Sequence, residues 1–379
     1  MDAEKQQSKL IDFLRFPLIV GVVLQHTRVR PHETSGLFWG IETLFSKILA
    51  HVSVPLFFFI AGYLFFYKTN FGRQVYYEKL RRRTSSLFVP YVFWISAWLV
   101  GKYALIQTGF IGREPGIVYN FDFIARAYWA CEEDNGAMYP FVGQFWFIRD
   151  LMVVTLCTPA FYFCLKNLKL FFVLFCGVCW WLDLRIPFVG DRGLSHWAFF
   201  FFSFGAWFSV NKKVFMAEFE KLRIFSFIVY PALVIADLFL RGRGVGFSLG
   251  GSEFDIGELV HRSGIIAGIL FFVNLSALFL HRGKIGNNSF LPAASFFVFA
   301  AHGPGLLLFL EKFALKPLNP QSDLALTACY FAFLFAVLGI TLGLYAVMRS
   351  YFPVFTRIIT GGHSVGSRAQ NTKRTANGS

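Results

Sequence analysis

The sequence predicts an all-α fold, a polytopic bundle of about ten transmembrane helices with both termini in the cytoplasm. Composition points there first. Of 379 residues, 56% are hydrophobic and only 15% are charged, against about 25% charged in a soluble domain. Ten apolar runs come next, at roughly 10–27, 41–67, 84–108, 143–165, 168–188, 196–210, 224–240, 259–280, 289–310 and 324–348. Most are long enough for ~30 Å of hydrocarbon; the sixth is short. Charge sidedness is the third observation. With the N-terminus inside, and with Lys47, Lys169 and Arg185 counted with the loops next to their runs, 21 of the 36 Lys and Arg lie on its side, 11 lie opposite, and Arg15, Lys102, Arg149 and Arg262 lie deeper within runs. The positive-inside rule reads that bias as cytoplasmic termini, and ten crossings agree in parity.

A net charge of +14 would suggest nucleic acid in a soluble protein. Here its sidedness sets topology against the lipid bilayer, and no nucleic-acid partner is expected. The 51 phenylalanines suit lipid-facing and helix-packing surfaces, and the tryptophans suit interfacial depths. Cys131, Cys157, Cys164, Cys176, Cys179 and Cys329 sit mostly inside apolar runs without metal-ligand spacing, so they read as packing residues and no metal is expected. The polar N-terminus leads into the first run without a small-residue cleavage pattern, so that run is expected to stay in the protein.

The first run, Ile11 to Thr27, carries Asp12, Arg15 and His26. Eleven residues at ~100° each return to within ~20° of the same face, so a continuous helix aligns Arg15 with His26 about 16 Å apart along its axis. An unpaired charge in a membrane helix costs on the order of 3 kcal/mol, so Asp12 and Arg15 are expected to pair and His26 to face protein or a wet cavity. A buried ion pair plus one satisfied histidine explains the segment equally well. Pro17, two residues after Arg15, is a place where the helix is expected to kink or begin.

The second run has Pro55 in its middle and Gly62 near its end, and is expected to pack on the first. The next loop holds Lys68, Arg73, Lys79, Arg81, Arg82 and Arg83 against the single acid Glu78. Topology-setting charge suffices to explain it. The segment from Gly109 to Val142 is expected to be external and partly folded. The fourth run places Trp146, Arg149 and Asp150 on one helical face, a second charged pair within the membrane. Gly242 to Gly257 is glycine-rich but matches no phosphate loop. In the ninth run His302 precedes a Gly-Pro-Gly break, where it either lines a cavity or satisfies a neighbouring carbonyl. Residues 1–348 read as one membrane domain and 349–379 as a basic cytoplasmic tail, disordered from about Gly361 onward.

Taken together, five segments resemble the acyltransferase 3 family of bacterial membrane acyltransferases over about residues 9–348. They are Arg15, ten residues and His26; VPLFFFIAGYL; RRRTSSLFVPYVFW; FWFIRDL; and the late His302. The resemblance implies an inner-membrane O-acyltransferase that moves an acyl group, acetyl foremost, from acetyl-CoA or another acyl-CoA to a saccharide acceptor. It implies an essential role for His26, with Arg15 as its partner. It also associates Arg15 and the basic segment Lys79, Arg81, Arg82 and Arg83 with the donor. Two positions depart from the family pattern: Ser86 stands where a second basic residue is common, and Pro17 where small helix formers are.

The chemistry fits these residue types. A sugar hydroxyl is a poor nucleophile until its proton is removed, and a neutral histidine can take it; general-base assistance is worth roughly 10² to 10⁴ in rate. His26 is the candidate base, with Arg15 and Asp12 in the same catalytic group. Trp146, Arg149, Asp150, His302 and Tyr63 are candidate substrate-lining or cavity residues. Cationic side chains at the cytoplasmic mouth would hold the phosphates of coenzyme A. A transporter or flippase for a polysaccharide precursor is the competing class, and against it the charges in the runs show no inverted repeat. A non-catalytic anchoring protein would have little use for a histidine in its first span.

Overall fold

Alternation of apolar helices and polar turns builds the chain. The computed structural model describes residues 3–27, 29, 36–112, 119–134, 137–184, 194–241, 243, 246–249, 252–286 and 289–362. The tail expected to be disordered lies, from residue 363, outside the described residues. The helices are α1 (Ala3–His26), α2 (Leu37–Phe66), α3 (Arg73–Gln107), α4 (Phe121–Ala127), α5 (Trp146–Leu156), α6 (Thr158–Asn167), α7 (Leu170–Trp181), α8 (His196–Val210), α9 (Phe215–Glu220), α10 (Arg223–Leu240), α11 (Ile256–His281), α12 (Phe290–Ala301), α13 (Pro304–Leu310), α14 (Asp323–Tyr351) and α15 (Pro353–Ile359). Among the described residues the strands form two antiparallel hairpins, Glu132–Asp134 with Ala137–Tyr139 and Gly246–Leu249 with Ser252–Asp255.

Each of the ten apolar runs coincides with a helix or a bent helix pair. Among the described residues, α2, α3, α10, α11 and α14 are each long and apolar enough to cross a membrane. The pairs α5 with α6 and α12 with the helical segment from Gly305 are bent by 61° and 72°, and bring the count to seven if each is one span. The remaining three runs fall short for physical reasons. α1 carries Lys9, Asp12 and Arg15 within its apolar part, while α7 and α8, with 12 and 15 residues, rise only about 18 Å and 22 Å.

Two glycines fix the centre of the bundle, where α2 and α8 pack most extensively. A Cβ on Gly62 would lie 2.0 Å from the Phe202 carbonyl oxygen, and one on Gly205 would lie 1.8 Å from that of Phe59. Backbone touches backbone there, as small residues allow between membrane helices. Around the crossing, Phe59, Phe204, Phe208, Phe215 and Phe219 pack in edge and tilted contacts. α1 lies against α2 and α12, and α10 lines up with α11.

Local chemistry also explains where α2 is irregular. Its backbone widens to π turns over Thr43–Leu49 and tightens to a 3-10 turn at Ala50–Val52. Pro55 has no N–H to give the carbonyl four residues earlier, which belongs to His51, and its ring crowds that carbonyl. α1, by contrast, runs unbroken through Pro17. The expectation that the helix bends or begins there is corrected in one respect: Pro17 does not start it. The alignment of Arg15 with His26 on one continuous helix therefore holds.

Two faces of the bundle can be told apart. At the face where α1 starts, Lys68 pairs with Glu4 at 2.6 Å; at the face where α1 ends, the Leu37 amide donates to Asp323 of α14 across 2.7 Å. α14 then traverses the bundle, and the turn after α15 packs on α3, with Trp94 Nε1 donating to the Ile359 carbonyl at 3.0 Å.

Candidate active site

His26 ends α1, half-buried, and its ring centroid lies 5.4 Å from that of His302, the rings tilted by 40°. His302 caps α12 and is fully buried. Its Nδ1 lies 3.1 Å from the Val298 carbonyl, which can only accept, so Nδ1 carries the proton and Nε2 presents a lone pair. Among the described residues that Nε2 has no hydrogen-bond partner. His302 thus satisfies a neighbouring carbonyl with one nitrogen, one of the two sequence readings, while its other nitrogen has no partner among the described residues.

The Gly-Pro-Gly break that follows makes room for two more polar groups. A Cβ on Gly303 would lie 2.3 Å from the side-chain amide nitrogen of Gln144, and one on Gly305 would lie 2.1 Å from the Trp98 ring. The Gln144 amide nitrogen and the Trp98 indole nitrogen are buried and, among the described residues, without a partner. Leaving a buried donor unpaired costs about 1–3 kcal/mol. His302 Nε2 and the Gln144 amide nitrogen are thus two unpaired polar atoms beside the break, and Trp98 meets it through the far edge of its ring.

Eleven residues before His26, Arg15 pairs with Asp12 at 3.5 Å, the side chains 34% and 36% exposed. The expected pair is present, at a partly open rather than a sealed position. Arg83 of α3, half-buried, lies within electrostatic range of Arg15. Lys79 faces Arg82 and Arg83 and donates to the Phe65 carbonyl. Helical spacing explains the grouping, since Lys79, Arg82 and Arg83 stand at i, i+3 and i+4 on one face, whereas Arg81 is turned about 100° away from Arg82. Arg83 thus joins this basic face to Arg15, and His26 stands on the same helix about 16 Å farther along.

Other predicted residues are engaged elsewhere. Arg149 and Asp150 are each 1% exposed. Arg149 donates to Asp150 at 2.9 Å and to the carbonyls of Trp129 and Met138 at 2.6 Å and 3.0 Å, and Asp150 accepts from the Ser195 amide at 2.8 Å. The pair thus ties α5 to the segment after α4 and to the start of α8. Trp146 packs on Phe58, with centroids 6.2 Å apart. Tyr63 is 2% exposed, near the face where α1 starts, and packs against Tyr67 and Phe215. The structure does not bring it to His26.

A second polar chain was not legible in the sequence. His51 Nδ1 lies 3.0 Å from His261 Nε2, and His261 Nδ1 lies 2.6 Å from Asp237 Oδ2. Arg241 reaches the same carboxylate at 3.2 Å and 3.4 Å. Asp237 and His261 are 2% and 5% exposed. Gln25 Nε2, on the residue before His26, donates to the carbonyl of Ala50, the residue before His51, across 2.6 Å, so the chain reaches the end of α1 that carries His26. Among the described residues, no group of three His, Cys, Asp or Glu could hold a metal ion.

With this geometry in place, the comparisons with known proteins bear on the whole chain. A family profile described as an acyltransferase domain matches residues 9–346. The chain belongs to that acyltransferase family. It is also 23% identical over 373 residues to the succinoglycan biosynthesis protein ExoH of Rhizobium meliloti (strain 1021), covering 95% of this chain and 94% of that one. No solved structure matches it. The protein is thus a multi-pass membrane acyltransferase. Acyltransferase chemistry needs a base for the incoming nucleophile and donors for the oxyanion that forms on the attacked carbonyl. His26 lies beside His302, and the Gln144 amide lies beside Gly303.

Proposed function

We propose that the protein is an inner-membrane O-acyltransferase. It moves an acyl group, acetyl foremost, from acyl-CoA to a hydroxyl of a cell-surface or secreted polysaccharide or its lipid-linked precursor. The carrying observation is the single continuous helix α1, with Arg15 in a basic cluster at one level and His26 beside His302 about 16 Å on. An extended pantetheine arm can bridge that gap while the nucleotide phosphates stay with the cations. The ExoH relative is a succinoglycan biosynthesis protein, which favours a polysaccharide acceptor.

In this reading the termini and the Lys79, Arg82 and Arg83 cluster face the cytoplasm, where soluble acyl-CoA resides. Phosphates bind guanidinium and ammonium groups through charge-assisted hydrogen bonds. His26 removes the acceptor hydroxyl proton as the oxygen attacks the thioester carbonyl. The Gln144 N–H stabilises the tetrahedral oxyanion. Collapse breaks the carbon–sulfur bond, and the departing sulfur takes the proton, leaving an ester and free coenzyme A. The test is to incubate purified protein in detergent with labelled acetyl-CoA and a panel of surface glycans. Label should appear in a glycan; a protein that binds glycans but never transfers label is not this enzyme.

A further inference from the structure

Buried histidines in an apolar bundle must have every ring proton placed, and the chain of His51, His261 and Asp237 leaves little freedom. The Asp237 carboxylate accepts only, so at 2.6 Å the His261 Nδ1 carries a proton. Arg241 has donors only; its 3.0 Å approach to the same Nδ1 is a contact between donors, and its hydrogen bonds go to Asp237. In neutral His261 the Nε2 is therefore an acceptor, and at 3.0 Å it accepts from Nδ1 of His51. That leaves the lone pair of His51 on Nε2. The arrangement has the logic of a catalytic triad, in which a carboxylate orients one imidazole and stabilises the positive charge that forms on it. Here the chain is one imidazole longer.

Its position is what gives it a use. Gln25 bonds to Ala50, so the residues that follow them, His26 and His51, leave adjacent points of α1 and α2. His51 is in electrostatic range of His26, and the charged groups facing it are His261 of α11, Asp237 and Arg241 of α10, and His26 of α1. Tyr230 of α10 also faces Asp237, its buried hydroxyl without a partner among the described residues.

We propose that Asp237, His261 and His51 form a proton-holding chain that serves His26 during acyl transfer. The inference rests on the acyltransferase reading with His26 as base. The acceptor O–H bond breaks as its proton moves to His26, and that proton passes, directly or through one water, to Nε2 of His51. The Nδ1 proton of His51 then moves to Nε2 of His261, and the positive charge rests beside Asp237. When the carbon–sulfur bond breaks and its electron pair stays on sulfur, the same steps run backward and sulfur takes the proton. No proton is gained or lost over the cycle. Holding the charge beside a carboxylate keeps His26 neutral while the oxyanion exists, which favours forward collapse over return of the proton to the hydroxyl oxygen. His51, His261 and Asp237 are positioning residues in this scheme, since none needs to touch the substrate.

Two measurements test it. The first is nitrogen NMR of ring-labelled histidines in the purified full-length protein in detergent, which needs no turnover. His51 and His261 should titrate as one coupled unit, and protonation of that unit should move the His26 signals. Independent titration of His51 would overturn the proposal, whatever the activity. The second is the pH profile of acetyl transfer from labelled acetyl-CoA. The chain must begin neutral, so the acid limb reports its occupancy. Asp237→Asn removes the charge that stabilises the protonated chain, so the limb should move to lower pH while the plateau kcat falls about 10- to 100-fold, toward the lower end of general-base effects. Arg241→Gln should move the limb to higher pH. KM for acetyl-CoA should stay unchanged in both, and His51→Gln should lower kcat like Asp237→Asn. Falling plateaus with an unmoved limb would mark a structural cluster and overturn the proposal. If wild-type protein transfers no label to any glycan, the acyltransferase assignment fails, and the NMR result still judges the chain separately.

Discussion

His26 and His302 end two different helices, α1 and α12, and their rings meet at 5.4 Å. His302 is fixed by its own helix, because Nδ1 lies 3.1 Å from the Val298 carbonyl. Its free nitrogen is thereby an acceptor, beside a half-buried histidine at the end of a helix that carries an arginine eleven residues earlier.

Gln144→Ala should lower kcat for acetyl transfer by roughly 10² to 10³, the loss expected when one oxyanion donor is removed. KM for acetyl-CoA should barely change, because the amide acts on charge that develops only in the transition state. Steady-state kinetics on a glycan acceptor check this, and an equal rise in KM would make Gln144 a binding residue instead.

Neutralising Arg82 and Arg83 together should raise KM for acyl-CoA far more than it lowers kcat, since contacts remote from the reacting carbonyl stabilise ground and transition states alike. The wild-type KM should also rise with salt, because partly exposed phosphate contacts are screened. Arg81→Gln should have the smaller effect, as Arg81 points away from the face shared by Lys79, Arg82 and Arg83. Mis-inserted variants whose correctly oriented fraction binds donor normally would make the cluster a topology signal.

Gly205→Leu should cost more than the ~1–3 kcal/mol of an ordinary overpacked core, because a Cβ there meets the Phe59 carbonyl oxygen at 1.8 Å and the backbone cannot step aside as a side chain would. Thermal unfolding in detergent should show the loss. The same substitution at Gly283, which has nothing within 4 Å but a φ of +66°, should cost far less than the clash at Gly205.

A reporter fused after Arg349 should be cytoplasmic and one inserted near Asn135 external, given the 21 to 11 sidedness of Lys and Arg. The reverse pattern would put the basic cluster on the side without acyl-CoA.

How much the sequence disclosed follows from the range of each signal. Apolar runs and the Arg15 to His26 spacing are properties of one segment, and each run is helical in the structure. Pro17 was misjudged as a possible helix start because a proline removes one hydrogen bond without forcing a break when packing holds the helix on both sides. The pairing of His26 with His302 is long-range, and no periodicity encodes it. His51, His261 and Asp237 went unseen for the same reason, although one signal was available: each is an ionisable residue within or at the edge of an apolar run, and such residues are functional candidates wherever they occur. Arg149 and Asp150 met that criterion and are bonded to each other and to the backbone, so the criterion finds buried charge directly and function only through the partners that the fold supplies.

The central claim is that His26 removes the acceptor proton, and the most direct measurement compares label transfer from acetyl-CoA to glycan by the wild type and by His26→Ala, with donor affinity measured in parallel. The account predicts that transfer falls at least 100-fold, as loss of a general base requires, while acetyl-CoA binding at the Lys79, Arg82 and Arg83 cluster is nearly unchanged. A variant that keeps more than about a tenth of wild-type transfer would contradict it, because that loss is below the range of general-base catalysis.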